Sequence, residues 1–139
     1  MSNITFTMIK PEAVEAKKSG DILARIESSG FKIISLKKVH LSTDEASEFY
    51  EVHKEKHFYK DLIDYMSGGP IIAAILQKEN AVADFRKLIG STDPINAEKG
   101  TIRKEFAESM SKNAIHGSDS NENAIQECDF HFSLEERFF

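Results

Sequence analysis

The richest polar run of the sequence is Asn113-Ala114-Ile115-His116-Gly117-Ser118-Asp119-Ser120. It sets a titratable imidazole beside a glycine, the residue that lets another molecule come closest to the backbone. With a reference pKa of about 6.5, an imidazole is substantially neutral at cellular pH. It can attack a phosphorus centre without a separate base, and the product is a phosphohistidine. Spacing alone leaves a second reading open, in which His116 is an ordinary histidine of a capped loop. Arg86 and Arg103 carry forked donors suited to phosphate oxygens, although solvated helix charges look the same in a sequence. Phe58 offers a ring either for stacking on a base or for anchoring the core. His53 and His57 have the i, i+4 spacing of a helical metal pair, but Glu55 is misplaced for a zincin and no third ligand is evident.

Neither a Gly-x-x-x-x-Gly-Lys-Ser/Thr loop nor a strand-linked Gly-x-Gly-x-x-Gly occurs. Eighteen basic against twenty-three acidic side chains give a formal charge of −5, with no block of Lys and Arg fit for a phosphodiester backbone. A negative protein that binds nucleotides must gather a few cations in one place, so individual Lys and Arg positions matter more than the total. Cys128 is alone, which excludes an internal disulfide and a purely cysteine-ligated metal. A hydrophobic share of 40% and a charged share of 29% belong to a globular chain, and 139 residues suit a single domain, 1–139. The start lacks the basic and apolar regions of a signal peptide, and the longest apolar run, Ile71 to Leu76, is far short of the roughly twenty residues of a bilayer span. The expectation is a cytoplasmic protein with no membrane contact and no specific nucleic-acid partner.

The elements that must position these residues follow from periodicity. Ile4 to Ile9 reads as a strand, with Pro11 opening a helix. Ile22, Leu23 and Ile26 have helical spacing within 21–29, and Gly30 suits the left-handed residue that ends the helix. A second strand spans 31–41, and Ser42 with Glu45 forms a capping-box pattern ahead of a helix turning Ala46, Phe49, Tyr50 and His53 inward. A short helix over 59–66 precedes the apolar strand Ile71 to Leu76, which should be central. Asn80 is placed to cap a helix carrying Ala81, Phe85, Leu88 and Ile89 on one side and stopped by Gly90, with Arg86 on another face. A structured loop over 91–100 and a short helix over 101–106 follow. Ser120 caps a helix through Cys128, and 129–132 reads as the last strand. The order β-α-β-α-α-β-α-loop-α-β predicts an α+β ferredoxin-like sandwich, a four-stranded antiparallel sheet covered by helices.

Four segments in this order and spacing, Met8-Ile-Lys-Pro11, Tyr65-Met-Ser-Gly-Gly-Pro70, Gly100-Thr-Ile-Arg103 and Asn113-Ala-Ile-His-Gly-Ser-Asp119, resemble the nucleoside diphosphate kinase family over nearly the whole chain. The resemblance implies a ping-pong exchange in which a nucleoside triphosphate gives its γ-phosphoryl to His116 and a second nucleoside diphosphate takes it away. Position by position it implies phosphate contacts at Lys10, Arg86, Thr92 and Arg103, ribose contacts at Lys10 and Asn113, and a stacking platform at Phe58. It further implies that Glu127 orients the imidazole, that Ser118 supports Glu127, and that Tyr50 lies beside the histidine. Mg²⁺ is expected on the nucleotide phosphates without a protein cage, and a homo-oligomer, hexamer or tetramer, is expected. The chain departs from the family pattern at Glu12, where Asp is usual, at Lys112, where Arg is frequent, and at Lys99, where Pro is frequent.

Overall fold

The computed structural model describes residues 3–139. Its sheet is built from β1 (Ile4–Ile9), β2 (Lys32–Val39), β3 (Ile71–Gln77) and β4 (Ile115–Gly117), in the order β2-β3-β1-β4 with antiparallel neighbours throughout. Helices α1 (Pro11–Glu15) and α2 (Ser19–Ser28) connect β1 to β2, and α3 (Thr43–Phe49) and α4 (Tyr59–Met66) connect β2 to β3. Helices α5 (Ala81–Ile89) and α6 (Ile102–Phe106) lead to β4, and α7 (Asn121–His131) follows it. The β1-α2-β2-β3-α5-β4 path is the ferredoxin-like one expected from the element order.

Period-two alternation divides the strands between two cores. Phe6 and Met8 of β1, with Ile71, Ala73 and Ile75 of β3, face α3, α4 and α7. Ile9, Ala74, Leu76 and Ile115 face the opposite way, against α1, α2, α5 and α6. Both faces are therefore covered, and the inner strand β3 carries the near-continuous apolar run that burial on both sides demands.

Local signals behave as their chemistry requires. The Ser42 hydroxyl accepts from the Glu45 amide at 3.0 Å while the Glu45 carboxylate accepts from the Ser42 amide at 2.9 Å, which completes the capping box. At the end of α2, Gly30 has φ +95°, and the Gly30 and Phe31 amides reach back to the carbonyls of Glu27 and Ile26. That Schellman pairing satisfies carbonyls the helix leaves open. Ser120 caps α7 by accepting from the Asn123 amide at 3.1 Å.

Three expectations are corrected. Residues 129–132 are not a strand: α7 continues to His131, with Ala124, Cys128 and His131 buried along one helical face. The Phe-His-Phe alternation imitates a strand, but the 3.6-residue period of the buried positions prevails. The fourth strand is instead Ile115–Gly117, too short for a period to show. Asn80 does not cap α5 through its side chain; it takes a left-handed conformation, φ +57°, which Asn tolerates. Gly117, expected to open the backbone to an incoming molecule, is buried against α5. A Cβ there would stand 2.9 Å from Ile89 Cδ1 and 3.0 Å from Phe85 Cδ2, so glycine is needed for strand-to-helix packing.

Two measurements test this packing. Gly117→Ala should lower stability by about 1–3 kcal/mol through overpacking, read as a lower urea midpoint; an unchanged midpoint would show that α5 yields to the methyl. His131 lies stacked on Phe6 at 4.9 Å, and burial, with the charges of Lys37 and His116, pushes its pKa down to about 4. The unfolded chain takes up a proton below its ordinary value of about 6.5 before the folded protein does, so stability falls between pH 6.5 and 4. The loss attributable to His131 should be roughly 3 kcal/mol, and His131→Phe should flatten that part of the unfolding profile.

Candidate active site

β4 runs antiparallel to β1 with His116 opposite Met8, and this register turns the imidazole toward α7 and α3. Phe6 and Phe49 flank the ring, at centroid distances of 6.0 and 5.7 Å. The register is reinforced by the Thr7 hydroxyl, which donates to the His116 carbonyl at 2.7 Å, and by the Lys10 amide, which donates to the Ala114 carbonyl at 2.8 Å.

Glu127, on the facing side of α7, accepts at one oxygen, Oε1, from His116 Nε2 at 2.9 Å and from the Ser118 hydroxyl at 2.7 Å. Ser118 is fully buried and its oxygen accepts from the Phe6 amide at 3.2 Å, so its donor direction is committed to Glu127. An ionised carboxylate only accepts, which assigns the proton to Nε2 and leaves the Nδ1 lone pair free. Tyr50 is buried and its hydroxyl has no hydrogen-bond partner among the described residues. Burial and the Glu127 charge hold the phenol well above its ordinary pKa, which keeps Tyr50 neutral beside the pair.

A second group stands at the other end of β4. Lys10 Nζ donates to Asn113 Oδ1 at 2.7 Å, and Asn113 Nδ2 reaches the Thr92 carbonyl at 3.5 Å. Arg103 is fixed by its backbone acceptors, donating to the Gly90 carbonyl at 3.0 Å and to the Ile115 carbonyl, one residue before His116, at 2.8 Å. Gly90 has φ +88°, and a Cβ would stand 2.6 Å from Thr101 Oγ1, so only glycine permits this approach of α5 to α6. Arg86 is exposed but lies near enough for its charge to act on Arg103.

These cations are held at a cost. Burial and then the Arg103 charge lower the Lys10 pKa to about 8, against an opposing pull from Glu12. Burial and Arg86 lower that of Arg103 to about 10. For Lys10 the penalty on the fold is complete below pH 8 and disappears as pH rises past the unfolded value of 10.5; its size is on the order of 3 kcal/mol. Cations that destabilise the empty fold gain most when an anion binds among them.

Between the two groups Ala114 occupies the left-handed region at φ +74°. The Ile115 amide donates to the Asn113 carbonyl at 2.9 Å, so the bend is a tight γ-turn, a strained conformation that costs about 1–3 kcal/mol. The Ala114 amide donates to Glu12 Oε1 at 2.9 Å, and a hydrogen bond to a charged acceptor contributes roughly 1.5–3 kcal/mol, enough to offset the strain. The other Glu12 oxygen accepts from the Tyr65 hydroxyl.

The residues singled out in the sequence thus form the clusters His116, Glu127, Ser118 and Tyr50, and Lys10, Asn113, Thr92, Arg103 and Arg86. Phe58 belongs to neither by direct contact. It is 41% exposed, with His53 and His57 as its ring neighbours, and His53 links it toward Tyr50 at 6.5 Å. The sequence reading assigned no role to Phe6, Phe49 or Ala114. The aromatic pair was legible only as helix and strand core, and nothing in the sequence marks a left-handed alanine. Among the described residues no group of three or more His, Cys, Asp or Glu is placed to hold a metal ion, so His53 and His57 remain without a third ligand.

The family model of nucleoside diphosphate kinase matches residues 3–137. The chain is 53% identical over 137 residues to the nucleoside diphosphate kinase of Flavobacterium psychrophilum, covering 99% of each sequence. It is 50% identical to that of Chlorobium limicola, covering 95% of this chain and 94% of the relative. The crystal structure of the Aquifex aeolicus nucleoside diphosphate kinase has the same fold, with a TM-score of 0.95 at 41% identity over 97% of this chain and 98% of that one. Sequence and fold agree that this chain belongs to the nucleoside diphosphate kinase family, whose members transfer a phosphoryl group from a nucleoside triphosphate to a nucleoside diphosphate.

Proposed function

We propose that the transfer runs in two half-reactions through a phosphohistidine at His116, within a single kinase domain spanning 1–139. The observation that carries this reading is the hydrogen bond from His116 Nε2 to Glu127, which leaves Nδ1 as the unprotonated nitrogen. In the first half-reaction the Nδ1 lone pair forms a bond to the γ-phosphorus, the bond to the β,γ-bridging oxygen breaks, and a nucleoside diphosphate leaves. The positive charge that appears on the ring faces the Glu127 carboxylate. In the second, a terminal oxygen of an incoming diphosphate attacks the phosphorus and Nδ1 regains its lone pair, so one site serves donor and acceptor.

Lys10, Arg103 and Arg86 are suited to the charge that spreads over the phosphoryl oxygens, with Thr92 as a further phosphate contact. Lys10 and Asn113 take the ribose hydroxyls. Phe58 stacks on the base, which accepts any ring face and gives broad base tolerance. Ser118 holds Glu127, and Tyr50 bounds the histidine as a neutral wall. Mg²⁺, when present, would be held by the nucleotide phosphates and would supply charge neutralisation there, while the side chains above do the binding. The protein works in the cytoplasm as a homo-oligomer, a hexamer or a tetramer.

Incubation with γ-labelled ATP should give an acid-labile, alkali-stable phosphoprotein. His116→Ala should abolish the label and lower exchange by roughly 10⁴-fold or more, and near-normal exchange in that variant would overturn the mechanism. Because the free protein loses the Lys10 charge near pH 8, its affinity for ADP should fall as pH rises from 7 through 9, approaching tenfold per unit on the alkaline side. Titration calorimetry across that range checks this, and a flat profile would exclude Lys10 as a charged phosphate contact.

A further inference from the structure

Glu12 lies two positions after Lys10, in the first turn of α1, and each of its carboxylate oxygens is committed. Oε1 accepts from the Ala114 amide at 2.9 Å and Oε2 from the Tyr65 hydroxyl. Ala114 is the left-handed residue, φ +74°, between Asn113 and Ile115, so its conformation sets the direction in which the chain enters β4. Asn113, on one side of the bend, accepts from Lys10 Nζ at 2.7 Å, and Ile115, on the other, accepts from Arg103 at 2.8 Å and leads directly to His116. The Lys10 amide donates to the Ala114 carbonyl at 2.8 Å, so both polar groups of this peptide segment are gripped from 10–12.

We propose that Glu12 is a positioning residue of the phosphoryl-transfer site, holding the Ala114 bend that aims Asn113 and His116 and adding a counter-charge to Lys10. The proposal rests on the reading of His116 and Lys10 given above. Three observations carry it: a non-glycine residue at positive φ, a carboxylate that accepts from that residue's own amide, and a buried lysine at the start of the carboxylate's helix. The groups that face Lys10 account for the electrostatic half. Arg103 on α6 opposes its charge, Glu12 on α1 favours it, and the Tyr65 ring on α4 lies 6.0 Å from Nζ. Removal of the Glu12 charge leaves Arg103 and burial unopposed.

The oxygen-to-oxygen division makes the roles separable. Glu12→Gln keeps an oxygen able to accept from Ala114 but removes the charge. Tyr65→Phe keeps the charge and releases only the far oxygen. Glu12→Asp keeps the charge on a side chain one methylene shorter. In Glu12→Gln the alkaline fall in ADP affinity should move to lower pH, while Glu12→Asp should retain its position. Glu12→Asp, whose shorter side chain draws back from the Ala114 amide, should lower kcat by about tenfold or more, because a misdirected bend displaces His116 from the phosphorus, whereas Glu12→Gln keeps that acceptor and should lose less.

The experiment measures exchange kinetics and ADP affinity against pH for the wild type and the three variants, with thermal unfolding to confirm a cooperative fold. A wild-type alkaline profile in folded Glu12→Gln, or wild-type kcat in folded Glu12→Asp, overturns the proposal. If Glu12→Gln does not fold, Glu12→Asp decides: lowered kcat with the alkaline fall in ADP affinity unmoved supports the proposal, and unchanged kcat overturns it. Failure of the wild type to form a phosphohistidine would instead remove the His116 reading, and the ADP profile would still report on Glu12 and Lys10.

Discussion

Everything in the site hangs on the pairing of β4 with β1. The ladder joins Ile115, His116 and Gly117 to Ile9, Met8 and Thr7, and so short a strand has little cohesion of its own. A slip of one residue would turn His116 to the opposite core, away from Glu127, and bring Ile115 to face the carboxylate. The structure prevents this with contacts at both ends of the strand. The Lys10 amide binds the Ala114 carbonyl before it, the Thr7 hydroxyl binds the His116 carbonyl within it, and the Ser118 amide reaches the Phe6 carbonyl beyond it. Gly117 adds steric selection, since only a residue without Cβ lets β4 lie against Phe85 and Ile89.

Given that register, the chemistry of the histidine follows from α7. The helix carries Glu127 on the side that meets β4, and Ser118, next but one after His116, binds the same carboxylate oxygen. Two donors on one oxygen fix both the carboxylate and the imidazole. The ring nitrogen that remains free is therefore chosen by the packing of a helix on a sheet, and Phe6 and Phe49 prevent the ring from turning.

The cations show the opposite economy. Lys10 and Arg103 are buried, lowered in pKa and mutually repulsive, in a chain whose formal charge is −5. Stability alone would not assemble such a group. An anion bound among them would reverse the sign of that energy, so the fold carries a local penalty of the kind that anion binding relieves. Elsewhere the acidic excess is solvent-facing, as in the ion pairs of Lys60 with Asp64 and Arg137 with Asp129.

The sequence by itself determined what depends on neighbours in the chain. The capping box at Ser42, the Gly30 helix stop, the apolar run of β3 and the four short motifs each hold their meaning within a few residues, and the element order was enough for the fold class though not for the place of the fourth strand. The pairings of His116 with Glu127 and of Lys10 with Asn113, the left-handed Ala114 bound to Glu12, and the packing role of Gly117 join residues up to 103 positions apart. No local period records such contacts. β4 escaped notice because a three-residue strand has no alternation to display, and α7 imitated a strand at its end through Phe130 and Phe132. What the tertiary structure decided was therefore register and approach: which strand lies beside β1, which ring nitrogen stays free, and which charges are forced together, because these are set by surfaces that meet only after the chain has folded.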